Sequence, residues 1–346
     1  MKPVTNVKIG LALSGASSRS VFYIGFLEVL QEHRFPIDYI AALSGATIVA
    51  ASYACGTMDN FKQLALRLNR EVFFSLIEKS KGQGGLYSLE KFEELIRLYT
   101  KNFNFEDVSP QMGFVTTDIN AREEVVLQMG DLAKAICASC SLPVVFEPQQ
   151  WGNKILVDGG IINVVPGNVA RDAGMDLVIG IDLRSTRHVF SWWQIFGKRL
   201  LNKIRALIWP RRAEQLWQRF ADNIKYSEFW QNYFYLGQYQ EPQLENPQLM
   251  SVIGRSLDIA IASQTKHKAE TNFECDLLIV KDLHIPFWKR FLFVRFLHFD
   301  SMTEYYQAGR ATAEEYLPKM WQLLKDRESA QQTRDENLKQ LFINQK

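Results

Sequence analysis

Residues 38–49 read DYIAALSGATIV, an apolar run broken by a serine and a glycine. A serine placed where a buried strand gives way to a helix is pushed out of the sheet, with the N–H of the next residue beside its hydroxyl. That arrangement suits a nucleophile for acyl transfer. The G-x-S-x-G pattern of such a turn is nearly present here, as Ala42-Leu43-Ser44-Gly45-Ala46. The competing reading is a helix N-cap, the commoner use of a Ser-Gly pair before a helix.

Two further stretches bear on the same chemistry. Ser14-Gly15-Ala16-Ser17-Ser18-Arg19-Ser20 lies between a predicted strand and a predicted helix. Its small residues let backbone N–H groups turn toward one point, and the helix adds its positive end, which suits an oxyanion. Val157-Asp158-Gly159-Gly160 places a carboxylate at a strand end before two flexible residues; alone it reads as well as an ordinary turn.

These segments need a framework. Apolar runs at Val7–Leu13, Tyr39–Leu43, Gly113–Asp118, Glu124–Gln128, Lys154–Val157, Leu177–Asp182 and Asp276–Val280 predict strands. Helical periodicity covers Val21–His33, Thr47–Cys55, Phe61–Asn69, Leu89–Tyr99, residues 247 to 268 and Ser301–Leu324. The alternation predicts an α/β fold with a mostly parallel central sheet. After Lys325 the chain is polar and mixed in charge, and is expected to fray or be disordered.

Composition narrows the function classes. The 346 residues are 47% hydrophobic, enough for a sizeable core. With 40 Lys+Arg against 38 Asp+Glu the charge is nearly balanced, so electrostatic partners must be sought in local clusters. Four cysteines imply no disulfide framework; Cys137 and Cys140 form a lone C-x-x-C with no second pair to complete a zinc site, and read as structural thiols. The N-terminal MKPVTNVKIGLALSG lacks a signal-peptide pattern, and nowhere do about 18 apolar residues run uninterrupted. The expected compartment is cytoplasmic, with peripheral attachment to the inner face of the membrane left open. No metal or cofactor is called for.

KIGLALSG with YIGFLEVL, SGATIVAASYACG, and GDLAKAICASCSLPVVFEP followed by LVDGGIINVVP occur in that order, and on these motifs the chain resembles the bacterial patatin-like phospholipases. The resemblance runs from about Val7 to Leu183 and resumes from about Pro247 to Leu317. It implies a three-layer α/β fold and hydrolysis of a phospholipid or lysophospholipid ester through an acyl-enzyme. Carried across by motif, Ser44 is the nucleophile and Asp158 its base. Gly15, Ala16, Ser17, Ser18 and Arg19, with Gly45, supply oxyanion donors. Ala42, Leu43 and Ala46 complete the elbow, and Gly159 and Gly160 the Asp-Gly-Gly turn. A serine–aspartate pair needs no histidine, but an aspartate near its usual pKa of about 3.9 is a poor base, so an elevated value is expected for Asp158.

The chain departs from the family loop G-G-G-x-[RK]-G, since Ala16, Ser17 and Ser20 replace glycines, and Ala42 and Ala46 stand at the elbow's glycine positions. Added Cβ atoms disfavour φ > 0 by roughly 1–2 kcal/mol each. Three readings therefore stay open: a working acyl hydrolase, a catalytically weakened module that binds lipid or protein, and an acyltransferase using the same pair. Arg19 either contacts a phosphate or braces its own loop, and Asp118 in TTDIN reads as a turn brace.

Four segments follow: a core over 1–183, a basic aromatic helical insertion over 184–246, the rest of the core over 247–324, and a polar tail over 325–346. From Arg184 to Lys225 ten Lys/Arg face two acids, and Trp193, Phe196, Leu200, Ile204 and Leu207 recur at helical spacing. Trp192, Trp193, Phe196, Lys198, Arg199 and Lys203, with Trp288, Lys289 and Arg290 of a second basic aromatic stretch, suit the interface of an anionic bilayer. The alternative is a helical cap with solvated charges. No nucleic-acid module is recognisable, and oligomeric state is not readable.

Overall fold

The computed structural model describes residues 5–80, 84–183, 252, 256, 273–283 and 299–343. The chain divides into two units, Met1–Arg184 with Glu245–Lys346, and Ser185–Leu244. Every described residue lies in the first. The insertion read at 184–246, the membrane-contact candidates Trp192, Trp193, Phe196, Lys198, Arg199, Lys203, Trp288, Lys289 and Arg290, and most of the helix expected over 247–268 lie outside the described residues.

Five strands run parallel in the order β11 (Leu277–Val280), β10 (Leu177–Asp182), β1 (Ile9–Leu13), β2 (Tyr39–Leu43) and β5 (Gln111–Asp118). Beyond them β9 (Lys154–Asp158) and β8 (Gln149–Trp151) continue antiparallel, and β6 (Glu123–Leu127) pairs antiparallel with β5. A small second sheet joins β3 (Glu78–Lys79), β4 (Gly85–Ser88) and β7 (Val144–Phe146).

The central strands are buried on both faces, which is why they read as continuous apolar runs. Ile9, Leu11, Leu13, Ile40, Ala42 and Phe114 point into one core, while Ala12, Ala41, Leu43 and Val115 point into the other. Helices α1 (Val21–Glu32), α2 (Gly45–Ala54), α3 (Met58–Arg67), α5 (Glu90–Thr100) and α6 (Leu132–Cys140) supply the first core. Helix α7 (Gly167–Asp172) covers the second face, and α4 (Arg70–Ser75) packs beside the small sheet. The result is a three-layer α/β fold with a mostly parallel sheet.

Helix α1 is buried from Val21 to Leu30 because it lies between the sheet and helix α8 (Met302–Ile343). Across that contact Glu28 accepts from Tyr306 at 2.5 Å and Arg310 binds Glu32, while Lys62 of α3 also donates to Glu28 at 2.6 Å. The tail expected to fray or be disordered after Lys325 instead continues α8 to Ile343. Its Gln, Glu, Lys, Arg and Leu are good helix formers, and an apolar-periodicity reading misses so polar a stretch of sequence. Arg327 anchors its start to Asp276 at 2.7 Å. Helix α6 and the small sheet are further additions: both are short, with apolar residues too clustered to show a period.

Candidate functional site

The site begins with β5. One edge of this strand is taken by β6 along Phe114–Asp118. On the other edge Val115 pairs with Leu43 of β2, and the next residue, Thr116, pairs with Asp158 of β9. The end of β2 and the end of β9 thus meet head to head on one strand edge. Ser44 follows Leu43 directly, so residues 114 positions apart along the chain become neighbours.

Ser44 stands immediately before α2, which starts at Gly45 rather than at Thr47 as periodicity predicts. Its backbone is at φ 53°, ψ −139°, a region that only glycine enters freely. Its hydroxyl makes no cap to the helix; it lies on the side of the Asp158 carboxyl, whose proton affinity it lowers. The Thr47 hydroxyl donates to the Ser44 carbonyl at 2.7 Å and so caps none of the first amides of α2. The two readings of the Ser-Gly pair therefore separate: the residue occupies the cap position, but its side chain faces the carboxylate.

Asp158 is 4% exposed. Burial raises its carboxyl from the ordinary 3.8 to about 6, against the opposing effects of the Ser44 hydroxyl and of the Gly160 amide, the latter donating to Oδ1 at 2.8 Å. The elevated value expected from the sequence is present and arises from desolvation. Backbone contacts fix the carboxylate's root: the Asp158 N–H donates to the Ser141 carbonyl at 2.9 Å and the Thr117 hydroxyl donates to the Asp158 carbonyl at 3.1 Å.

The loop Gly15–Ser20 passes over the elbow, its Ser17–Ser20 part a 3-10 turn. A Cβ on Gly15 would lie 2.5 Å from Leu43 Cδ1, and one on Gly45 would lie 2.7 Å from Ser20 Oγ and 2.9 Å from the Ser17 carbonyl. The loop and the elbow touch backbone to backbone. Ser17, which replaces a family glycine, does take the costly conformation, at φ 50°. Arg19 resolves to a brace: its Nη1 donates to the Leu183 carbonyl at 2.7 Å and its Nε to the Ala16 carbonyl at 3.3 Å. The amides of Gly15 and Ala16 donate to no acceptor among the described residues. Ala42 and Ala46 are fully buried between strand and helix. Asp118 braces its turn, accepting from the Asn120 amide at 2.9 Å.

Sequence reasoning assigned no role to Ser139 and Ser141, although their motif, ICASCSLP, carried part of the resemblance. Both are fully buried at the C-terminal end of α6, each with its hydroxyl bonded to a backbone carbonyl. The signal was a Ser-x-Ser in an otherwise apolar helix, where an unbonded hydroxyl would be costly. Cys137 and Cys140 are free, and burial raises both thiols above their usual range, so neither is poised as a thiolate. Among the described residues no helix is long and apolar enough to cross a membrane.

Comparison with known proteins gives a consistent grouping. Residues 11–171 match the family model described as patatin-like phospholipase. An uncharacterised NTE family protein of Mycobacterium tuberculosis is 28% identical over 179 residues, which cover 52% of this chain and 50% of that one. Human patatin-like phospholipase domain-containing protein 6 is 27% identical over 214 residues, covering 57% of this chain and 15% of that one. The neuropathy target esterase sws of Drosophila melanogaster is 25% identical, with 56% and 15% covered. The chain thus spans half or less of the length of these relatives. Among solved structures, VipD from Legionella pneumophila aligns with a TM-score of 0.49 and 11% identity, covering 91% of this chain and 67% of that one.

Proposed function

We propose, from the membership of residues 11–171 in the patatin-like phospholipase family, that this protein is a serine carboxylic ester hydrolase acting on a phospholipid or lysophospholipid. The observation that carries the reading is the juxtaposition of Ser44, on a strained strand-to-helix turn, with the buried Asp158 carboxyl, their strand ends meeting at adjacent residues of β5.

Ser44 Oγ attacks the ester carbonyl carbon while its proton passes to Asp158. The resulting oxyanion is met by the N–H groups of Gly15 and Ala16 and of Gly45, with the positive end of α2 behind them. When the tetrahedral intermediate collapses, the alcohol leaves with the proton from Asp158, and the acyl group remains on Ser44. Water then attacks, gives its proton to Asp158, and releases the fatty acid as Ser44 recovers its hydrogen. An alcohol in place of water would make the same site an acyltransferase. The basic aromatic composition of residues 184–225 and 287–296 supports docking on an anionic membrane surface, where such a substrate resides.

The replaced loop glycines favour a second reading, a weakened member that binds lipid without turnover. A fluorophosphonate probe separates the two. Labelling of the intact protein that disappears in Ser44→Ala supports the hydrolase; a folded protein that never labels supports the binding module.

A further inference from the structure

Ser139 is fully buried, and its hydroxyl touches two backbone groups of the site. It donates to the Val115 carbonyl at 2.7 Å and accepts from the Ser44 amide at 2.8 Å. A serine hydroxyl has one hydrogen. With that hydrogen given to Val115, only lone pairs face Ser44, so the contact is an acceptor by construction. It holds the one residue of the elbow that sits in a glycine-only conformation.

Two consequences follow from that contact. The nucleophile's own N–H is committed to Ser139 and is withdrawn from the oxyanion donors, leaving Gly45 to supply the elbow's N–H. Two residues further on, the Ser141 carbonyl accepts from the Asp158 amide at 2.9 Å. One short stretch at the end of α6 therefore grips the backbones of both reacting groups.

From this we infer that Ser139 is a positioning residue, which sets the direction of the Ser44 hydroxyl toward Asp158 by holding the Ser44 backbone amide. The inference rests on the hydrolase reading above.

The test uses the full chain and a fluorophosphonate probe, with the second-order inactivation rate, the melting temperature and amide hydrogen exchange at Ser44 measured together. Ser139→Ala is expected to slow inactivation by about 10- to 100-fold and to speed exchange at the Ser44 amide selectively. With an activated ester substrate kcat falls while KM holds. Ser139→Cys, close in volume but a weaker acceptor, is expected to fall between the two and serves if the alanine variant does not fold. Ser52→Ala is the control: it removes another buried hydroxyl, bonded to the Val49 carbonyl in the same α2 helix, and should cost stability without slowing the folded protein.

Inactivation of Ser139→Ala, or of Ser139→Cys where it alone folds, at the wild-type rate overturns the inference while leaving the hydrolase reading intact. So does an equal slowing in Ser52→Ala. A wild-type protein that never reacts overturns the hydrolase reading itself, and the inference falls with it.

Discussion

The two sides of the candidate site, a bonded wall and a packed wall, are built on different physical principles. On the Asp158 side every backbone group that matters has a hydrogen-bond partner: Ser44 N–H to Ser139, Asp158 N–H to Ser141, Asp158 carbonyl to Thr117. On the Gly15–Ser20 side close contact dominates, with Gly15 against Leu43 and Gly45 against Ser17 and Ser20, supplemented by the Arg19 braces to the Leu183 and Ala16 carbonyls. Hydrogen bonds specify direction and tolerate small volume changes; close packing tolerates none, yet leaves amides free to bind a developing anion. In the proposed reaction the bonded wall suits the two groups that aim at each other, and the packed wall suits the Gly15 and Ala16 amides as oxyanion donors.

That contrast yields ordered predictions. The largest effect belongs to the bonded wall. Asp158→Asn should lower kcat by about 10²–10⁴ by removing the proton acceptor, measured with an activated ester. The same substitution should stabilise the protein at neutral pH. Because the carboxyl is raised from 3.8 to about 6 on folding, the wild type carries no penalty below pH 3.8, loses stability as pH rises toward 6, and stays at that lower level above it. The advantage of Asp158→Asn in melting temperature should therefore open between those values, reaching on the order of 2–3 kcal/mol. An advantage independent of pH would show that burial of the charge is not its source.

Next comes the packed wall. Gly45→Ala puts a methyl on Ser20 Oγ and the Ser17 carbonyl, and displacing one oxyanion donor costs about 10²–10³ in rate. Adding Ser20→Gly removes the side-chain half of the clash and should recover part of that loss. Additive effects in a double-mutant cycle would mean that loop and elbow are not packed as described.

A smaller effect is the pH dependence of the wild type. The base works ionised, so kcat/KM should climb about tenfold per unit up to pH 6 and then level off. A profile already flat at pH 5 would place the functional group elsewhere.

The smallest effect isolates strain. Ser44→Gly and Ser44→Ala both lose the hydroxyl, but only glycine relieves φ 53°. The glycine variant should be the more stable by about 1 kcal/mol, the strain released less the entropy glycine adds to the unfolded chain. Equal denaturation midpoints would show an unstrained elbow.

Much of this was legible in the residues. Strands buried on both faces announce themselves as apolar runs, so Ile9–Leu13, Tyr39–Leu43 and Leu177–Asp182 were readable, as was the helical sweep of Val21–Glu32. The motifs named Ser44, Asp158 and the Gly15 loop. Illegible were the features that depend on a partner distant in sequence. Ser139 is an unremarkable helix residue until β5 brings Val115 beside it, and Gly45 is simply small until Ser20 crosses above it. The end of α8 escaped notice because its sequence is too polar to show an apolar period.

The sequence by itself determined which groups are available for chemistry and which segments form strands and helices, since those follow from side-chain type and local periodicity. Only the tertiary structure decided that the hydroxyl-bearing and carboxyl-bearing strand ends come together, because that depends on β2 and β9 meeting on one edge of β5. It also decided the proton affinity of Asp158, because desolvation is a property of everything packed around a group.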